Sequence, residues 1–209
     1  MRSAYLIGLF LTLFATQLFA LDRTLIAESP EDVTPLLNGQ TIPNVTLRTA
    51  TGAPVSLQAM IMQKPTIILF YRGGWCPYCS RQLAELKDIE QPLVDLGYQI
   101  LAISPESPTR LQEQKLETEF AVQLLSDESL QAIKGVGIGF YVPAETKSRY
   151  KEKNNIVLTE DADSERAVLP APSVFITDKT GLIKFNYVNP NFKVRPSAEL
   201  LLQAAKLSL

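Results

Sequence analysis

One stretch of the chain, Pro65-Thr66-Ile67-Ile68-Leu69-Phe70-Tyr71, is a continuous apolar, β-rich run the length of a strand, and a second, residues 98–104, is apolar through its centre. Runs of this kind, with no polar alternation, predict central strands buried on both faces. Between them Leu83, Leu86, Ile89, Leu93 and Leu96 recur at spacings of three and four, the single apolar stripe of a packed helix. Pro92 is expected to kink or split that helix, and Gly97 to close it. Ahead of the first strand, Val45-Thr46-Leu47 and Val55-Ser56-Leu57 flank Thr51-Gly52 and predict a small hairpin. The polar segment before it, residues 21–40, carries a short helical stretch near 31–37. Downstream, Ser107-Pro108 supplies an N-cap and a proline at the first helical position, so a helix is expected from there to about Phe120. Residues 122–125 predict a short strand and 128–134 a short helix. Gly135, Gly137 and Gly139 have the wrong spacing for a nucleotide-binding loop and read as a flexible turn. Residues 144–168 are polar and predict a surface excursion. Residues 173–177 and 182–185 predict a hairpin around Asp178-Lys179-Thr180-Gly181, and a last helix runs from Pro196 to about Leu207. This order gives an α/β fold, a mixed central sheet flanked by helices.

The N-terminus changes the picture of where the chain works. Arg2 is the only charge before Asp22, and residues 4–20 are almost entirely apolar. A basic start, an apolar run and the small Ala20 read as a secretory signal peptide over residues 1–20. The run is short for a membrane span of about 20 residues. The expectation is a mature single domain, residues 21–209, periplasmic or secreted, with no membrane attachment. In such a compartment disulfide chemistry is normal.

Composition narrows the chemistry. The 209 residues are 46% hydrophobic and 20% charged, with a formal net charge of −2, which suits a folded domain and gives no basic surface for nucleic acid. There is no histidine. Ser-His-Asp and Cys-His catalysis are therefore excluded. Two cysteines without an imidazole do not fill a zinc tetrahedron either. No metal or organic cofactor is expected.

The two cysteines form the strongest chemical signal. Cys76-Pro77-Tyr78-Cys79 follows a buried strand, a Gly-Gly turn and Trp75, and it opens a helix. Side chains three apart share a helix face, so the two sulfurs can close a disulfide. The first turn of a helix offers unpaired N–H groups and a positive dipole end, which stabilise a thiolate at Cys76 and lower its pKa. Cys79, one turn further in, is expected to be more buried. Cys76 is then the reachable nucleophile, forming a mixed disulfide or a sulfenic acid, and Cys79 the residue that resolves it. A permanent structural disulfide is the plain alternative, but so small a ring constrains the unfolded chain weakly.

The segment Phe70-Tyr71-Arg72-Gly73-Gly74-Trp75-Cys76-Pro77-Tyr78-Cys79 resembles the active-site signature of the peroxiredoxin-like proteins in the alkyl hydroperoxide reductase / thiol-specific antioxidant (AhpC/TSA) group. The similarity continues through residues 101–106, 169–178 and 187–196, over nearly the whole mature chain. It implies a thioredoxin fold with the N-terminal hairpin as an extension. It also implies a cis-proline facing the cysteine pair at the start of a strand, a place held here by Pro172. Trp75, Pro77, Tyr78 and Pro172 would shape the site, and Arg72 would lend positive charge. Arg195 is expected in a structural or surface role. Two positions depart from the group. The threonine or serine usual three residues before the reactive cysteine is Gly73, and the arginine usual before the later strand is Pro172. The buried aspartate of thioredoxins is replaced by Phe70. The function implied is a thiol–disulfide oxidoreductase, with a thiol peroxidase acting on hydrogen peroxide or alkyl hydroperoxides as the alternative. Either exchanges electrons with a thiol or disulfide partner protein. A third reading is a non-catalytic binding module whose disulfide is structural.

Overall fold

The computed structural model describes residues 22–114 and 122–209. The leader segment, and the far end of the helix expected to reach Phe120, lie outside the described residues. In chain order the elements are β1 (Thr46–Thr49), β2 (Pro54–Ser56), α1 (Leu57–Ile61), β3 (Thr66–Phe70), α2 (Pro77–Glu85), α3 (Lys87–Asp95), β4 (Gln99–Ser104), α4 (Pro108–Glu113), β5 (Val122–Ser126), α5 (Gln131–Gly135), β6 (Gly139–Tyr141), α6 (Ala144–Asn154), β7 (Val168–Pro170), β8 (Ser173–Thr177), β9 (Ile183–Val188) and α7 (Ala198–Leu207). Seven strands make a mixed sheet in the order β2-β1-β5-β4-β3-β8-β9. The strands β3, β4 and β5 run parallel, β8 and β9 return antiparallel, and the β1–β2 hairpin extends the sheet beyond β5. This is a mixed central sheet between helical layers, the thioredoxin fold.

Strand β3 shows why the sheet is covered on both sides. Successive side chains of a strand point to opposite faces. Ile67 and Leu69 enter the layer formed by α2, α3 and α7, with Leu83, Leu93 and Leu201. Ile68 and Phe70 enter the other layer, with Leu57 and Ile61 of α1 and Ile133 of α5. All five residues of β3 are buried.

Several expectations need correction. The striped helix is split, but at Leu86 rather than at Pro92. The Ile89 N–H bonds the Leu86 carbonyl in a tight turn, whereas Pro92 sits inside α3, where its missing N–H removes a single helical bond. Gly97 does end α3, at φ +85, with Tyr98 N–H bonded to the Leu93 carbonyl and Gly97 N–H to that of Val94. Ser107 caps α4 by accepting from the Arg110 N–H, but α4 stops at Glu113. Gln114 turns extended there, and its side chain bridges Tyr71 and Glu106. Near 31–37 only a single 3-10 turn forms, Pro30–Asp32. The following residues run extended and donate from Thr34 and Leu36 N–H to the carbonyls of Gly137 and Val136. Gly137 is therefore a docking point and not a loose turn. Its φ is +72, and a Cβ there would collide with the Thr34 carbonyl oxygen. The polar excursion is α6 and the chain leading to β7. It carries its own small core of Val142, Ile156, Leu158, Ala167 and Leu169, which reaches Trp75 and Tyr150.

Candidate functional site

The parallel strand β3 ends at Phe70, and Tyr71 to Trp75 carry the chain round to α2. Gly73 makes this turn at φ +146, a region that residues with a Cβ rarely occupy. A Cβ on Gly73 would lie 2.5 Å from the indole Nε1 of Trp75 and 2.7 Å from the Glu106 carboxyl carbon. A threonine or serine does not fit this backbone, which accounts for the departure at that position. The Gly74 N–H donates to Glu106 Oε2 at 2.8 Å, Gln114 Nε2 donates to the same oxygen at 2.6 Å, and the Tyr71 hydroxyl donates to Gln114 Oε1 at 2.9 Å. Burial raises the Glu106 pKa, against the pull of the Gly74 N–H. Glu106 thus anchors the turn from below.

Cys76 is the N-cap of α2 and Pro77 its first residue. The proline has no N–H to leave unpaired there, and its φ is already helical. The Cys76 carbonyl accepts from the N–H groups of Cys79 at 2.9 Å and Ser80 at 3.0 Å, which fixes both sulfurs on the first turn. Neither cysteine is bridged. The Cys76 pKa is lowered to about 6, first by the hydrogen bond from the Cys79 thiol and further by the charges of Arg72 and Arg195, with burial opposing. Burial pushes the Cys79 thiol up, and the negative charge forming on Cys76 pushes it further.

The expected difference in exposure is not found. Cys79 is 0% exposed, and Cys76 only 1%. The cover over Cys76 is aromatic. A cavity of about 470 Å³ runs down to Cys76 between Trp75, Tyr78, Tyr150 and Phe192. The Trp75 and Tyr150 rings lie 5.1 Å apart, and Phe192 meets Tyr78 edge-on at 5.7 Å. Pro77 also lines the cavity.

Arg72 is buried at this site. Its Nη2 donates to the Tyr150 hydroxyl at 2.6 Å. Its guanidinium carbon lies 4.3 Å from the centre of the Phe192 ring and 4.9 Å from that of Trp75. Rings at this range attract a cation by roughly 0.5–2 kcal/mol. Among the described residues no carboxylate pairs with Arg72, and its buried Nε has no hydrogen-bond partner.

Pro172 stands apart from this group. It is buried one residue before β8, and its carbonyl accepts from the Asn189 N–H, but it does not line the cavity. The Ala171–Pro172 bond is trans, so the expectation of a cis-proline is corrected. The preceding Ala171 N–H is held by the Ile138 carbonyl, which ties the chain to the edge of the small β6–β7 sheet.

Arg195, expected to be structural, reaches the cysteine pair. Its Nη2 lies 3.2 Å from Cys79 Sγ, its Nη1 donates to Gln82 Oε1 at 3.2 Å, and its Nε donates to the Phe192 carbonyl at 3.1 Å. Sequence reading also missed Tyr150, Phe192 and Glu106 as parts of the site. Tyr150 lies in the polar excursion and carries no local signal. Phe192 and Glu106 lie within the stretches that carry the family resemblance, the one trace by which they could have been found.

A family model described as the AhpC/TSA family matches residues 38–186. The chain is 26% identical over 151 residues to the chloroplastic peroxiredoxin Q of Oryza sativa subsp. japonica, covering 72% of this chain and 58% of that protein. It is 32% identical over 111 residues to the prostamide/prostaglandin F synthase of Salmo salar, covering 51% of this chain and 55% of that protein. The chain thus spans a little over half the length of these curated relatives. Among solved structures, peroxidoxin BcpB from Mycobacterium tuberculosis superposes with a TM-score of 0.63 at 15% identity, covering 81% of this chain and 96% of that one. With the cysteine pair at the start of the helix after the central strand, and the match running through both ends of the sheet, the chain belongs to the AhpC/TSA family.

Proposed function

We propose that the protein is a thiol peroxidase in which Cys76 is the nucleophile and Cys79 the resolving residue. The observation that carries this is the placement of the Cys76 sulfur. It is acidified, carried by the N-cap residue of α2, and 1% exposed at the floor of an aromatic cavity. A small hydroperoxide fits such a floor, and a folded protein disulfide does not reach it without movement of the cover. The Cys76 thiolate attacks the peroxide, the O–O bond breaks, the terminal OH passes to sulfur as a sulfenic acid, and the alkoxide or hydroxide leaves and takes a proton from solvent. Cys79 then attacks the sulfenic acid, closing the disulfide and releasing water. A dithiol protein of thioredoxin type returns two electrons. The family membership and the relatives named peroxiredoxin support this reading.

A second reading, a thiol–disulfide oxidoreductase, rests on the Cys-Pro-Tyr-Cys spacing, which places both sulfurs on one turn. Purified protein assayed for peroxide consumption and for reduction of a protein disulfide separates the two. The expected result is peroxide turnover that is lost in Cys76→Ser, with the Cys76 sulfenic acid accumulating in Cys79→Ser, where the second reading expects a trapped mixed disulfide with the protein substrate. Protein-disulfide reduction without peroxide turnover transfers the assignment to the second reading, and full activity in Cys76→Ser ends both. We also place the mature chain in an oxidising compartment, on the leader-like residues 1–20.

A further inference from the structure

We propose that Arg195 is a catalytic residue of the second half of the reaction, holding the charge of Cys79 while that sulfur closes and reopens the disulfide. This rests on the peroxidase reading above. The geometry is direct: the guanidinium Nη2 sits 3.2 Å from Cys79 Sγ. The fork is pinned at its two other points, by the buried Gln82 side chain from α2 and by the Phe192 carbonyl from its own segment. Among the described residues no carboxylate pairs with Arg195, so its charge has no ordinary structural counter-ion.

The two steps place negative charge on different sulfurs. In the resting protein the negative charge is on Cys76, where the Cys79 thiol donates to it and Arg72 lies nearby. Once Cys76 carries oxygen, that charge is gone. Cys79 must then become the nucleophile, although burial holds its thiol protonated. As the new sulfur–sulfur bond forms, the bond from Cys76 sulfur to oxygen breaks and the hydroxyl leaves with the Cys79 proton as water. Partial negative charge passes through Cys79 Sγ, at the atom Arg195 touches. In reduction by a dithiol the same holds in reverse. The incoming thiolate attacks Cys76 Sγ, Cys79 is the leaving group, and Arg195 faces the departing thiolate. Arg72 and Arg195 thus both act on the first thiolate, and Arg195 in addition touches the sulfur of the second.

Trp75, the single tryptophan, adjoins Cys76, so its fluorescence is the readout chosen for both steps. Wild type mixed with a peroxide in stopped flow is expected to show two phases, oxidation of Cys76 and then ring closure. In Arg195→Gln ring closure should slow at least tenfold near neutral pH, more than the first phase compared at equal Cys76 thiolate fraction, and its pH profile should move upward. Arg195→Lys, which keeps the charge, should recover part of the closure rate. Trapping of the sulfenic acid by a dimedone-type reagent should rise in Arg195→Gln in proportion. Ring closure unchanged in Arg195→Gln, or both phases slowed equally and unrescued by lysine, overturns the role of Arg195 and leaves the peroxidase reading standing. A wild type whose Cys76 shows no oxidation phase overturns both.

Discussion

Arg72 is held among Trp75, Tyr150 and Phe192 with no carboxylate partner among the described residues, so its charge acts on the cavity and on the sulfur beside it. A buried cation without a counter-ion is costly, and the rings and the Tyr150 hydroxyl offset only part of that cost. A thiolate on Cys76 supplies the rest. The larger influence on that thiolate is nonetheless the hydrogen bond from the Cys79 thiol. Two substitutions rank these effects. Arg72→Met should raise the Cys76 pKa by about one unit, or ~1.4 kcal/mol. Cys79→Ala should raise it further. The measurement is the pH dependence of Cys76 alkylation, or of the thiolate absorbance. A Cys76 midpoint that does not move in Arg72→Met reduces the arginine to a packing role. The same sulfur explains why the site tolerates Gly73 where a hydroxyl is usual. With the turn at φ +146 there is no room for a side chain, and the positive charges near Cys76 come from Arg72 and Arg195 instead.

Helix α6 has no buried residue, yet it supplies a wall of the site. Its ties to the body are Tyr150, bonded to Arg72 and packed on Trp75, and an exposed ion pair of 2.6 Å between Lys147 and Glu160. Exposed pairs of this kind contribute about 0–1 kcal/mol, so Tyr150 is the main fastening. Tyr150→Ala should speed amide exchange in α6 at least tenfold and leave β3 and β4 unchanged. It should also raise the rate at which Cys76 is alkylated at a fixed thiolate fraction. Exchange in α6 that does not respond places its anchor elsewhere, in the small core around Val142 and Leu158. The contrast with β3 shows what could be read from the sequence and why. The strands, the helix over the cysteines and the redox pair are written in local signals: continuous apolar runs, a three-four stripe, a proline after an N-cap cysteine. Tyr150 and Arg195 are placed by tertiary folding, 78 and 116 residues from their partners Arg72 and Cys79, and a polar stretch gives no hint of that. The break at Leu86 was likewise hidden, since Pro92 is the stronger local signal and the tertiary packing prevails.

The two apolar layers on either side of the sheet bind the fold into one cooperative body, so a charge buried where sheet and layer join is felt in global unfolding. Asp127 is such a group. It follows β5, its N–H bonds the Ser104 carbonyl at the end of β4, and its two carboxyl oxygens accept from the Ala132 and Ile133 N–H groups at the start of α5. It is 0% exposed and makes no ion pair among the described residues. Burial raises its pKa to about 7, although the backbone donors pull the other way. The folded state therefore keeps a proton that the unfolded chain gives up near its ordinary value of 3.8. The stability this gives is complete below that value and is lost as the pH rises through about 7, with a slope of at most ~1.4 kcal/mol per pH unit. The lowered carboxylates Asp161 and Asp178 act in the opposite sense, and only at more acid pH. Cys76, lowered to about 6, titrates within the window and burial shifts Glu106 upward, so the comparison must cancel both. Denaturant unfolding of wild type and Asp127→Asn at matched pH does so, because both proteins carry the same cysteines and glutamate. The stability difference, wild type minus variant, should fall steadily between pH about 4 and about 7 and then level. Two parallel profiles across that range would mean that Asp127 is ionised in the folded protein, its charge held by the α5 backbone donors with the charge of Lys134.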